Sequence, residues 1–306
     1  MFLEDIIEEY CYSCVAKGFS DKTMVNKRQE LKQVKIFLLE KRGIKDLEKI
    51  TVHDLRAYIR SKQKQNLQPQ SIVTMAKQII AFFNWCIEEE YLKENPMSKV
   101  ELPKVPKKVV DGFTPSEVLA MIEAFSFKNY MEVRNKAMIA MLADCGLRAM
   151  EIRGLKTDDV KETSILVNGK GNKQRIVFIS PALKKILIRY ERLKKEYFED
   201  KFIKEDAYFL SYQGGALTHV ALDKVVKKAG ERAGVKGKRV SPHTFRHYYA
   251  VQCLMNGNMD VYSLSRLLGH SNMDITQRYL ESLTNSELSE KAIKGSPLMN
   301  IKRSRK

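Results

Sequence analysis

Proline constrains this chain more than any other residue. Pro96, Pro103 and Pro106 fall close together, interleaved with Lys104, Lys107 and Lys108. Each proline lacks a backbone donor and resists helix continuation, and the lysines keep the segment solvated. The sequence is therefore predicted to fold as two domains, residues 1–95 and 112–300, joined by a basic linker over 96–111 and followed by a basic tail at 301–306. With 306 residues, 44% of them hydrophobic, there is material for two cores.

Charge says what such a pair of domains could meet. Lys and Arg number 54 against 37 Asp and Glu, a net +17. Up to Pro103 there are 17 basic and 15 acidic residues, so the remainder carries 37 basic and 22 acidic. A charge of +15 on the second part points to a polyanion, nucleic acid first, although an ordinary basic protein would show the same balance. No apolar run is long enough to span a bilayer, and the acidic start Glu4-Asp5 lacks the pattern of a secretory signal, so a cytoplasmic location is expected. Five scattered cysteines give no disulfide framework. Cys11 and Cys14 have a zinc-like spacing but no second ligand pair nearby, and they read as thiols on one helix face. No cofactor and no metal are expected.

The local patterns are mostly helical. The first hundred residues read as four helices, with Ser20 as a start signal, Gly43 as a stop, and Thr51 to Asp54 as a capping box with Asp in place of Glu. Thr114-Pro115-Ser116-Glu117 opens the second domain with an N-cap, a first-turn proline and a third-position glutamate. Segments 164–167 and 174–179, rich in β-branched residues, flank Asn168-Gly169-Lys170-Gly171-Asn172 and read as a hairpin. Helices are predicted over 129–144, 181–198, 219–230, 244–256, 260–268 and 273–280, with a last one near 286–294. The fold class is mainly α with a small β-sheet.

Four segments of the second domain hold unusual chemistry: Gly146-Leu147-Arg148-Ala149-Met150-Glu151, the turn around Lys170, His243-Thr244-Phe245-Arg246, and Leu268-Gly269-His270 with Tyr279 nine residues on. Two arginines can fork onto the non-bridging oxygens of a phosphate, imidazoles add donors, tyrosine supplies an attacking oxygen, and lysine can protonate a leaving oxygen. His243 and Arg246 are three apart and share a helix face, whereas His247 turns away. Arg148 and Glu151 share a face too, so Glu151 supports rather than contacts the phosphate. Taken singly, each is more often structural; as an ordered set they are specific.

The set Arg148, Lys170, His243-x-x-Arg246, His270, Tyr279 resembles the tyrosine recombinases, or phage integrases, over nearly the whole chain. Lys173 is a near alternative to Lys170, and Cys145, Met150 and Arg153 depart from the usual surroundings of the first arginine without removing a catalytic group. The resemblance implies a helical, SAM-like core-binding domain before an α+β catalytic domain. It is to the short Xer-like type, with no arm-binding domain ahead of the helical unit. It further implies a 3′-phosphotyrosyl intermediate on Tyr279, no cofactor, double-stranded DNA recombination sites as partner, and a tetramer on paired sites linked through the segment near 286–294. Two rivals stand beside this reading, one sharing the phosphate chemistry and the other the scaffold. A type IB topoisomerase would relax supercoils without site dependence, and a DNA-binding regulator would be free to lose catalytic residues, none of which is missing. A metal nuclease finds no ligand cluster in the sequence.

Overall fold

The computed structural model describes residues 1–106, 111–169, 173–256, 259–270 and 272–280. Lys170, the segment near 286–294 and the tail at 301–306 lie outside these residues. The chain divides into two compact units, 1–108 and 109–306, each with its own core.

Unit one is helical: α1 (Leu3–Ala16), α2 (Asp21–Arg42), α3 (Val52–Lys64) and α4 (Pro69–Glu88), with a single 3-10 turn at Leu47–Lys49. Gly43 ends α2 in the left-handed conformation. Thr51 and Asp54 form the expected capping box, Asp54 accepting from the Thr51 backbone at 3.0 Å. The same carboxylate accepts from Arg42 Nε at 2.6 Å, which ties the end of α2 to the start of α3. Ser20 occupies the N-cap of α2, but its hydroxyl meets Thr23 Oγ1 at 3.0 Å instead of a backbone N–H. Leu38, Leu47, Leu55, Tyr58, Ile79, Phe82, Phe83 and Cys86 fill the core. Cys11 and Cys14 are buried free thiols on α1.

Unit two is built around one buried helix. It comprises α5 (Pro115–Glu123), α6 (Tyr130–Cys145), α7 (Ala149–Gly154), β1 (Ser164–Asn168), β2 (Gln174–Phe178), α8 (Pro181–Tyr197), α9 (His219–Arg232), α10 (Pro242–Asn256), α11 (Val261–Leu268) and α12 (Asp274–Leu280). Apolar residues surround α6 on every side, and α5, α8, α9 and α10 pack against it. Its buried cations are satisfied: Lys136 Nζ donates to the carbonyls of Ile122 and Phe125 at 2.9 and 2.8 Å, and Arg134 to that of Leu210 at 2.9 Å. The strands pair antiparallel, Val167 opposite Arg175 and Ser164 opposite Phe178. Ile165, Val167 and Val177 are buried on the inner face, whereas Ile176 and Phe178 point to solvent. Against α11, β2 closes one side of the unit. Among the described residues no helix is long and apolar enough to cross a membrane.

Candidate active site

The site begins at a glycine. Gly146 closes α6 at φ 59°, and a Cβ there would lie 2.3 Å from the Tyr249 ring, so only glycine lets α10 approach this turn. The chain then buries Leu147 and places Arg148 at the N-cap of α7. Glu151, one turn on, accepts from the Arg148 backbone N–H at 2.8 Å and from Arg148 Nη1 at 2.8 Å. Arg148 keeps 41% of its side-chain surface exposed, while Glu151 keeps 4%.

Arg246 comes from α10, whose first turn is fixed by Ser241 accepting from the Thr244 N–H at 3.3 Å. Its side chain is 2% exposed. Nη1 donates to the Gly146 carbonyl at 2.9 Å, and Nη2 to the Leu268 carbonyl at 2.6 Å and to His270 Nε2 at 2.8 Å. A guanidinium has no lone pair, so Nε2 must accept, and the proton of a neutral His270 sits on Nδ1, where it is donated to Thr276 Oγ1 at 2.7 Å. His270 follows the left-handed cap of α11 at Gly269. Tyr279, on α12, is buried among Ala250, Leu254, Leu264 and Leu268. Its ring lies 6.1 Å from that of His270 and 5.3 Å from that of His247. His243 stands one turn before Arg246, on the surface of α10.

The charges here shape one another. Burial alone would raise the Glu151 carboxyl, but hydrogen bonds from Arg175 and from the Arg148 backbone and side chain, together with the charge of Arg175, bring it down to about 2. Burial, then Arg246, Arg148 and Arg175, push His270 down to about 4. The protein around His243, with Arg246, Arg239 and Arg148, lowers it as well, so both imidazoles are neutral near pH 7. Burial and the like charge of Arg148 bring Arg246 down to about 10, still cationic at neutrality.

Five sequence-derived candidates, Arg148, His243, Arg246, His270 and Tyr279, thus occupy one region with Glu151 beneath them. Lys170 is outside the described residues. Lys173 is exposed, its carbonyl accepting from the Gly169 N–H at 2.8 Å. Three neighbours escaped the sequence reading. His247 turns from the His243–Arg246 face, as helical spacing requires, but that side of α10 is where Tyr279 packs. Thr276 orients His270, and a threonine three before a tyrosine carries no signal. Arg175 forks onto Glu151 at 2.7 and 2.8 Å; the available signal was an arginine inside a β-branched strand. Among the described residues no group of His, Cys, Asp or Glu could hold a metal ion.

The sequence model of the phage integrase family matches residues 112–286, and that of the phage integrase SAM-like domain matches residues 2–102. The chain is 30% identical over 271 residues to tyrosine recombinase XerC of Anoxybacillus flavithermus, covering 88% of this chain and 89% of that protein. It is 29% identical over 280 residues to XerD of Staphylococcus haemolyticus, covering 90% and 94%. In fold it is similar to the Tn1549 transposon integrase solved in complex with transposon right end DNA, with a TM-score of 0.72 at 14% identity, covering 97% of this chain and 100% of that one. A helical SAM-like unit before a catalytic unit, matched along both, means that the chain belongs to the phage integrase family of tyrosine recombinases and is a site-specific DNA recombinase.

Proposed function

We propose that this recombinase binds double-stranded DNA sites and exchanges strands through Tyr279. The observation that carries the reading is Tyr279 set beside His270, which Arg246 hydrogen-bonds, with Arg148 fixed on the same carbonyl run as Arg246. The phenol oxygen attacks the scissile phosphorus, the bond to the 5′ oxygen breaks, and a 3′-phosphotyrosyl bond forms. The covalent bond retains the phosphodiester energy, so the free 5′-hydroxyl of a partner strand reverses the step without ATP. Arg148 and Arg246 bind the non-bridging oxygens where negative charge develops. His243, one turn before Arg246, holds a non-bridging oxygen or tunes proton transfer, and Lys170 gives a proton to the leaving 5′ oxygen. His270, accepting from Arg246 through Nε2, orients that guanidinium toward the phosphate.

Exchange between two duplexes needs two sites, each cut on both strands, and thus four protomers. The segment near 286–294 would link neighbours in that assembly. Solved relatives bound to DNA, the Tn1549 integrase among them, support DNA as the partner. The test is Tyr279→Phe on a nicked suicide substrate. The variant should bind its site and reach the mass of four protomers on paired sites by light scattering, yet yield no covalent adduct on a denaturing gel. An adduct in that variant would remove Tyr279 as nucleophile, and a two-protomer mass on paired sites would remove the tetramer.

A further inference from the structure

Arg175 lies on the inner face of the hairpin, beside Val177 and opposite Val167, with 10% of its side chain exposed. An arginine there is costly unless its donors are met. They are met by the elements that carry the candidate site. Nη1 and Nη2 fork onto the two oxygens of Glu151 at 2.7 and 2.8 Å, and Nε donates to the Leu267 carbonyl at 2.7 Å. The stem crosses Gly269 so closely that a Cβ there would lie 3.0 Å from Arg175 Cδ.

These are the groups that anchor Arg148. Its Nη1 donates to Glu151, and its Nη2 to the Gly269 carbonyl at 3.2 Å. Arg246 takes the Leu268 carbonyl between the two. Arg175 therefore grips both supports of Arg148, the carboxylate by a fork and the carbonyl run through Leu267. Charge adds a second consequence. Without Arg175, the buried Glu151 carboxylate would face Arg148 as its one close cation, for Arg246 Nη1 is 3.9 Å away. A carboxylate in that position would draw the guanidinium into a fork of its own and away from any phosphate. With Arg175 occupying the fork, Arg148, Arg175, Arg246 and Glu151 together keep a net charge of +2, and Arg148 is the exposed member of the group.

We propose that Arg175 is a positioning residue that satisfies Glu151 so that Arg148 stays presented to the scissile phosphate. This rests on the reading of Arg148 as a phosphate ligand. The experiment is single-turnover cleavage of a nicked suicide substrate by the full chain carrying Arg175→Gln, Arg175→Lys, Arg148→Ala or Glu151→Gln/Arg175→Gln, with binding measured in parallel. Arg175→Gln should lower the cleavage rate about 10–100-fold, the range for a lost supporting partner, while the half-saturating DNA concentration stays within about twofold. Arg175→Lys keeps the charge without the fork and should lose rate as well; it stands in if the glutamine variant does not fold. Adding Glu151→Gln removes the carboxylate that would capture Arg148, yet leaves an oxygen for its backbone N–H, and should restore most of the rate. A purely structural arginine predicts the reverse, a double variant worse than either single one. Parental cleavage by Arg175→Gln, or a further loss in the double variant, overturns the inference alone when Arg148→Ala is impaired. Parental cleavage by Arg148→Ala overturns the inference and the reading beneath it together.

Discussion

At the scale of single residues, the cluster reduces to how one buried carboxylate is used. Glu151 is 4% exposed and held at about 2 by Arg175 and Arg148 against the opposing effect of burial. Its folded pKa lies below the ordinary value of 4.5, so its contribution to stability is full above 4.5 and is lost as the pH falls toward 2. Glu151→Gln resembles the protonated acid in size and charge. We expect it to melt below the parent at pH 7 and the gap to close steadily as the pH falls through that window. Thermal melts by circular dichroism check this, and a gap that stays constant down to the acid limit would mean the carboxylate charge contributes nothing. His270, held at about 4 rather than 6.5, adds a second loss of the same sign over a higher window, common to both proteins. It therefore cancels in the comparison.

At the scale of elements, caps were legible and the hairpin's phase was not. The Thr114 box is realised in full: Glu117 N–H donates to Thr114 Oγ1 at 3.2 Å, and the Thr114 N–H to Glu117 Oε2 at 2.7 Å. Thr114→Ala should cost about 1 kcal/mol, the usual loss for a capping side chain, read from urea unfolding. A loss near zero would show that Lys238, which reaches Glu117 at 3.0 Å, holds the helix start without the threonine. Such signals are local, carried by residues three apart, and sequence displays them directly. Strand phase is not local. Apolarity alone favours turning Ile176 and Phe178 inward, yet the inner positions go to Arg175 and Val177 because Glu151 and the Leu267 carbonyl await the guanidinium. Those partners stand far off in sequence, so nothing around Arg175 announces them. The order of Arg148, His243, Arg246, His270 and Tyr279 was readable as a pattern; the carbonyls that Arg148 and Arg246 share on 268–269 were not, because backbone acceptors leave no mark on composition. The same holds for His247, whose neighbour Tyr279 is brought in by the packing of α12 on α10.

At the scale of the whole molecule, two units with separate cores divide the charge unequally. Residues 1–106 carry an excess of three positive charges and residues 111–306 an excess of twelve. Binding to a duplex releases one condensed cation for nearly every phosphate neutralised, so the slope of log affinity against log salt counts those contacts. If both units bind DNA, the one with the larger basic excess should account for most of the slope. A fragment of residues 111–306 should retain the greater part of the salt dependence of the intact chain, and a fragment of residues 1–106 should show a shallow slope and weak binding. Fluorescence anisotropy on one duplex from about 50 to 200 mM salt measures both, a range over which several phosphate contacts change affinity by orders of magnitude. Net charge sets only the mean field, however, and a basic face on a nearly neutral unit would make contacts its total conceals. A steep slope for residues 1–106 would therefore place a concentrated basic face on the helical unit, its acidic residues turned away from the duplex. The division of electrostatic work between the units would then follow the arrangement of charge instead of its sum.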